Sequence, residues 1–312
     1  MPNTISIANH RGGVGKSTTT MMVAEGLSLL HDKRVLVLDF DPQAMVTVKL
    51  IGAESLKAVA ASRATMLDFL LNRLDGQQTS IFNYILTGVS DVKEIHSNTE
   101  NGRIDLIPMH PSLLGQMTRL DTAMRKWPAV APDVLLSDLL SQEVSQLEGI
   151  YDLVLIDTAA GATPLSLSAL RSGDIIIAPT LLEQNSLTLL THFLQFIVDE
   201  KLKVWETKKD SIYILPTLFV RSNPSQQLLL DQLLNRASGF ITAPFAIPHS
   251  TALQRAALHP GPGSFRLARE KYSAAYTDLQ ALAEWVARKL SKLERANAGE
   301  ANRQVRSAQR PR

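Results

Sequence analysis

The sequence predicts a three-layer α/β protein whose mostly parallel sheet is doubly wound, with helices on both faces. Three observations carry that prediction. Short apolar runs rich in Val, Ile and Leu alternate with longer stretches of helical period, the pattern of strands buried on both sides. A glycine-rich loop joins the first such run to the first helical stretch. Two of the runs end on aspartates, which puts carboxylates at the sheet edge where ligands collect in open α/β folds.

In chain order, strands are expected at residues 4–8, 34–39, 104–108, 153–157, 175–179 and 212–218, with a weaker one at 240–247. Pro42 stops the second of them, since proline cannot continue a central strand. Helices are expected at 17–31, directly after the loop, and at 164–172, 186–202, 224–237 and 273–293. In the region 51–101, "TMLDFLLNRL" and "TSIFNYILTGV" read as two short helices, and "HSNTENGR" as a polar turn. No internal repeat or Gly/Ser linker divides the chain, so residues 1–290 read as one domain. Residues 288–312 hold eight Lys or Arg against Glu294 and Glu300, in a chain whose net charge is +2. The body is therefore mildly acidic, and residues 291–312 are expected to form a basic, disordered tail. A solubilising role and a nucleic-acid contact are both open for it.

At 312 residues, with 45% hydrophobic and 20% charged residues, the chain has the make-up of a globular protein able to bury a large core. It has no cysteine, which excludes disulfides, thiolate chemistry and cysteine zinc sites and fits a cytoplasmic setting. "MPNTISIANH" shows no signal-peptide pattern. The most apolar long run, residues 175–198, is interrupted by Glu183, Gln184, Asn185 and His192, too polar for a bilayer span. The seven histidines fall at no metal-ligand spacing, and His10 is assigned no catalytic role.

The loop reads "ANHRGGVGKST" over residues 8–18. It follows the phosphate-loop pattern G-x-x-x-x-G-K-[ST], except that His10 stands at the first glycine and Arg11 adds a second cation. Gly12, Gly13 and Gly15 let the backbone curl with its N–H groups inward, an anion nest. The helix that follows adds free N–H groups and its positive dipole end. Lys16 offers a point charge to the outer phosphates, and the Ser17 hydroxyl a ligand for Mg²⁺. The missing glycine leaves the nest intact, because Gly12 and Gly13 can turn the chain. In "VLVLDFDPQA", Asp39 and Asp41 lie two apart and can share a face of the strand. A carboxylate there holds a metal-bound water or orients an attacking one; a plain Asp-Pro turn is the alternative. "YDLVLIDTAAG" ends on Asp157 in the manner of a Walker B strand, whose aspartate reaches Mg²⁺ through its shell.

Together, Arg11-Gly12-Gly13-Val14-Gly15-Lys16-Ser17, Asp39-Phe40-Asp41-Pro42-Gln43 and Ile156-Asp157-Thr158 resemble the deviant Walker motifs of the ParA/MinD family of P-loop ATPases. The resemblance continues through "IDLIPMHPSLL", "ALRSGDIIIAPTLLEQNSL", "YILPTLFVRSNPSQQ" and "FAIPHSTALQRAAL", and so covers residues 3–290. Asp41-Pro42-Gln43 is similar to the ParA-type partition branch. MinD-type members usually lack it and end in a membrane-seeking amphipathic helix. Here Trp285, Val286, Leu290 and Leu293 make an apolar stripe that core packing explains, so no stable membrane anchor is expected. Because the chain opens on its first strand, the helix-turn-helix extension of larger ParA proteins is not expected.

The resemblance implies the P-loop NTPase fold, ATP and Mg²⁺ as cofactors, and an ATP-dependent homodimer packed face to face around two nucleotides. Arg11 stands where the family has a lysine that crosses to the partner's phosphates. The phosphates would be cradled by Gly12, Gly13, Val14, Gly15, Lys16, Ser17 and Thr18. Lys16 would hold the β- and γ-phosphates, Ser17 the Mg²⁺, and Asp39 and Asp157 the metal's shell, while Asp41 positions the attacking water. Pro248 and Ser250 match adenine-contacting positions, the second often Asn in the family. Arg11 keeps the charge and can contact phosphate bidentately, but its geometry is not that of lysine; a solvated loop cation is the alternative. Arg221, Arg255, Arg266, Arg269 and Lys271 are the expected contacts to non-specific DNA, with the tail as an auxiliary. The implied function is DNA partition, with association to the nucleoid in the ATP state and slow hydrolysis stimulated by a ParB-like partner. A positioning ATPase for a protein cargo or conjugative-transfer complex, a MinD-like membrane regulator and a metabolic P-loop enzyme are the alternatives.

Overall fold

All the expected strands form, and every pairing between two of them is parallel. They are β1 (Asn3–Ile7), β2 (Arg34–Phe40), β3 (Arg103–Ile107), β4 (Leu153–Thr158), β5 (Ile175–Leu181), β6 (Ile212–Thr217) and β7 (Ile241–Thr242), in the sheet order β3-β2-β4-β1-β5-β6-β7. The computed structural model describes residues 1–97, 99–111, 113–199, 211–235, 240–258, 261 and 263–308. β1 lies between β4 and β5, with Ile7 level with Asp157 and Ile177. The strand order therefore reverses around β1, and the loop leaving it opens into the crevice at that switch point. The last strand is shorter than expected, two residues instead of the stretch 240–247.

Helices cover both faces: α1 (Lys16–His31), α2 (Met45–Ser62), α3 (Met66–Leu74), α4 (Lys93–Ser97), α5 (Leu113–Met124), α6 (Pro132–Ser145), α7 (Pro164–Ser172), α8 (Gln184–Asp199), α9 (Pro224–Asn235), α10 (Thr251–Ala256), α11 (Ala268–Tyr272) and α12 (Tyr276–Ala308). Period-two alternation sorts the strand residues between them. Val35 and Val37 of β2 and Leu153 and Leu155 of β4 join the core under α1 and α12, with Met22, Leu27, Leu279 and Trp285. Leu36, Leu38, Val154 and Ile156 join the opposite core under α3, α5, α6 and α7. A third cluster seats α8 and α9 on β5 and β6 through Phe193, Ile197, Ile176 and Ile214. In α1, Gly26 lets α12 approach closely: a Cβ there would sit 2.7 Å from the Ala283 Cβ.

The helical elements depart from expectation at several places. The segment "TSIFNYILTGV" holds only a 3₁₀ turn, Ile81–Tyr84; beyond it Leu86 pairs with Leu106 of β3, so backbone pairing wins over helical period. α2, α4, α5, α6, α10 and α11 form where no helix was expected. The tail expected to be disordered continues α12 as helical backbone to Ala308. Its Ala, Lys, Arg and Glu content favours helix, and no proline intervenes before Pro311. No helix of the described residues is long and apolar enough to cross a membrane.

Candidate functional site

The loop between β1 and α1 is tied at both ends to neighbouring strands. Asn9 donates to the Pro179 carbonyl at 2.7 Å and accepts from the Arg11 N–H at 3.0 Å. The Thr217 hydroxyl donates to the Val14 carbonyl at 2.8 Å. Between these anchors Gly13 and Gly15 take φ of 71° and 85°, the left-handed region in which glycine alone is unstrained. Gly15 caps α1 without any side-chain bond, and the first internal bond runs from the Thr19 N–H to the Gly15 carbonyl at 2.8 Å. The N–H groups of Lys16, Ser17 and Thr18 are therefore not consumed by the helix, as an anion site at a helix start requires. Lys16 curls back over the loop, its Nζ donating to the carbonyls of Arg11 at 3.0 Å and Asn9 at 3.3 Å. Burial lowers its pKa, and the fields of Asp157 and Asp41 oppose that shift. His10, in the missing-glycine slot, packs its ring on Phe193 and Phe196 of α8, with centroids 4.8 and 5.2 Å away. Its role there is packing.

The three aspartates take different positions. Asp39 and Asp157 are level across β2 and β4, and both are fully buried. Asp157 Oδ1 accepts from the Thr20 hydroxyl at 2.8 Å, while its buried Oδ2 has no hydrogen-bond partner among the described residues. Burial pushes its pKa up to about 7. A buried carboxylate oxygen left open beside Ser17 and Lys16 fits a hydrated cation. No cluster of three or more ligating side chains exists among the described residues, so Mg²⁺ would draw its remaining ligands from phosphate and water. Asp39 is otherwise engaged: Oδ1 accepts from the Asp41 N–H at 2.9 Å, and Oδ2 from the Thr47 N–H at 3.2 Å and hydroxyl at 2.6 Å. Both its oxygens thus hold the Asp41 loop and the first turn of α2, which departs from the expected place in the metal's shell. Asp41 lies past the end of β2, accepts from the Gln43 N–H at 2.9 Å and lines the cleft with Lys16 and Ser17.

Two cavities meet over the loop. The phosphate-side cleft, ≈ 660 Å³, runs along Gly12, Lys16, Ser17, Asp41 and Gln43. The second, ≈ 280 Å³ and mostly apolar, is lined by Met22, Ile247, Pro248, Ser250, Leu253 and Leu258. Pro248 and Ser250 thus border a space suited to a base, although the Ser250 hydroxyl is already used, accepting from the Leu253 N–H at 3.1 Å to cap α10. Gly15, Thr18, Lys49 and Leu218 border both cavities. Lys49 was missed from sequence because α2 itself was not foreseen.

Arg11 points away from the cleft. Its guanidinium pairs with Glu183 at 3.0 Å and also donates to the Ser186 hydroxyl, at the start of α8. Of the expected DNA contacts, Arg221, Arg255, Arg266 and Arg269 are exposed. Lys271 is not. Its side chain is 0% exposed and pairs with Glu25 and Asp91, each at 2.7 Å. This corrects its assignment as a surface cation.

A parallel sheet reversing around β1, with a nest at its switch point and Asp157 beside it, defines a P-loop nucleoside-triphosphatase fold. Residues 2–212 match the family described as an AAA domain. The chain is 30% identical over 184 residues to the chromosome-partitioning ATPase Soj of Thermus thermophilus, a match covering 59% of this chain and 56% of that protein. It spans less than two thirds of the length of the curated relatives it matches first. In structure it resembles apo McdA of Cyanothece (TM-score 0.66, 19% identity, 94% of this chain and 99% of that one). It also resembles a plasmid partition protein of Borrelia burgdorferi B31 bound to AMPPNP (TM-score 0.60, 22% identity, 93% and 100%). The chain belongs to the ParA/MinD family of P-loop ATPases.

Proposed function

We propose that this chain is a dimerising ATPase of the partition type, which binds non-specific DNA in its ATP state and is released when a ParB-like partner stimulates hydrolysis. One observation carries the reading: a phosphate nest, a buried Asp157 oxygen without a partner and an apolar base-sized cavity adjoin along one sheet edge. Residues 12–18 bind the phosphates through their amides, and Lys16 turns from backbone carbonyls to the β- and γ-oxygens. Ser17 and Asp157 are the residues that would hold Mg²⁺, which supplies positive charge to the phosphate oxygens when bound. Asp41 orients a water for attack, and Asp39 fixes Asp41. Hydrolysis of ATP with water then yields ADP and phosphate. Arg11 must leave Glu183 and Ser186 to reach a partner protomer's phosphates, where its planar fork suits phosphate oxygens.

Light scattering of the full chain with ATP and Mg²⁺ tests the dimer. The wild type should double in mass and Arg11→Ala should remain monomeric; an Arg11→Ala protein that dimerises normally would end the trans role. The DNA arm is separate. A random duplex should bind only with ATP, with an affinity that falls steeply as salt rises, and replacing Arg255, Arg266 and Arg269 together by Ala should weaken it. Binding that ignores both salt and ATP would count against the DNA reading. Sedimentation with anionic vesicles, expected to be negative, separates it from the membrane-regulator alternative.

A further inference from the structure

Lys49 has no hydrogen-bond or ion-pair partner among the described residues, although it is half-buried. It stands two residues beyond Thr47, which Asp39 grips by both backbone and hydroxyl, and next to Leu50, which is buried in the core. Its place on α2 is therefore fixed by the same carboxylate that sets Asp41. With Gly15, Thr18 and Leu218, it borders both the phosphate-side cleft and the apolar cavity. A nucleotide with its base in the apolar cavity and its outer phosphates on the nest must cross that junction with its ribose and innermost phosphate. Burial lowers the Lys49 pKa; the field of Asp157 opposes that shift and the field of Lys271 adds to it. An unpaired cation in such a place is stabilised by an anion that enters beside it.

We propose that Lys49 is a second phosphate-binding cation of this site, acting within its own protomer on the α-phosphate of the bound nucleotide. The proposal rests on the nucleotide-site reading above. Since ATP and ADP share that phosphate, Lys49 strengthens both alike and leaves the preference between them to Lys16. Such uniform binding holds product as firmly as substrate, so Lys49 also slows ADP release.

Calorimetric titration of the full chain with Mg-ADP, Mg-ATPγS and adenosine tests this. Lys49→Met should weaken ADP and ATPγS by the same factor, about tenfold, as expected for one lost charge-assisted bond. Adenosine binding should stay unchanged, and Lys49→Arg should retain most of the affinity. Lys49→Gln carries the same expectation should Lys49→Met fail to fold. ADP affinity within twofold of wild type would overturn the proposal, as would a loss confined to ATPγS. A parallel loss of adenosine would reduce Lys49 to packing and also overturn it. A wild-type chain that binds neither nucleotide would instead defeat the nucleotide-site reading, an outcome visible before any Lys49 variant is made.

Discussion

Two groups of buried charge lie along α1 and differ in how they are partnered. Around Glu25, in the middle of the helix, Lys271 and Asp91 close an ion cluster, and the Tyr272 hydroxyl donates to Glu25 at 2.7 Å. Each charge there faces an opposite charge, and the cluster ties α1 to α11 and to the loop before α4. At the start of the same helix, Lys16 bonds to carbonyl oxygens and Asp157 to the Thr20 hydroxyl, and neither makes an ion pair among the described residues. Water-excluded charges demand partners. A cluster that supplies its own is architecture, and one that leaves them missing is a site awaiting a ligand.

The largest expected effect tests the architectural half. Lys271→Met strands Glu25 and Asp91 in the core and should cost about 3–5 kcal/mol, a fall of roughly 10 °C in Tm. Nucleotide affinity measured well below the transition should not change. A Tm within 2 °C of wild type, roughly 1 kcal/mol, would break the contrast. The open half is read by pH. The folded pKa of Asp157, about 7, lies above its ordinary 3.8, so the free protein holds a proton that the unfolded chain releases. This contribution is fully present below the ordinary value and is lost as pH rises through 7. Over that window the wild type should lose up to about 4 kcal/mol from this group. Asp157→Asn should show a correspondingly flatter dependence in urea unfolding between pH 5 and pH 8. Identical slopes would mean that Asp157 is satisfied in a way the contrast denies. A third variant, Lys16→Ala, should weaken Mg-ATP binding by about 100-fold, as loss of a charged group from a phosphate site does. It should leave urea stability within about 1 kcal/mol, because Lys16 bonds only to backbone carbonyls.

The open site was legible in sequence and the closed cluster was not, for a reason of distance along the chain. The nest, Asp41 and Asp157 sit at the ends of strands whose apolar runs announce them, and the parallel pairing brings those ends to one edge. Lys271 meets partners 246 and 180 residues away, and nothing local distinguishes it from Arg269, two residues earlier and exposed. Lys49 was hidden by a weaker signal: α2 carries Val46, Thr47 and Val48, poor helix formers, and Gly52 breaks its regularity with φ of 81°. Asp39 was found, but its work of holding the Asp41 loop depends on Thr47, whose relation to it exists only once α2 has formed. Ser250 was likewise placed at the right cavity without its cap to α10 being foreseen.

The close approach at Gly26 has a consequence for any attempt to cut the protein down. The stretch that matches the AAA-domain family, residues 2–212, contains α1 but not the helix that clothes it. Leu279, Leu282, Trp285 and Val286 of α12 complete the core that Met21, Met22, Ala24 and Leu27 begin. A fragment ending at residue 212 would expose that greasy groove to water and lose Lys271, leaving Glu25 bare inside it. The stretch that matches the AAA-domain family is thus an incomplete folding unit, held shut by a helix that lies beyond it in the chain.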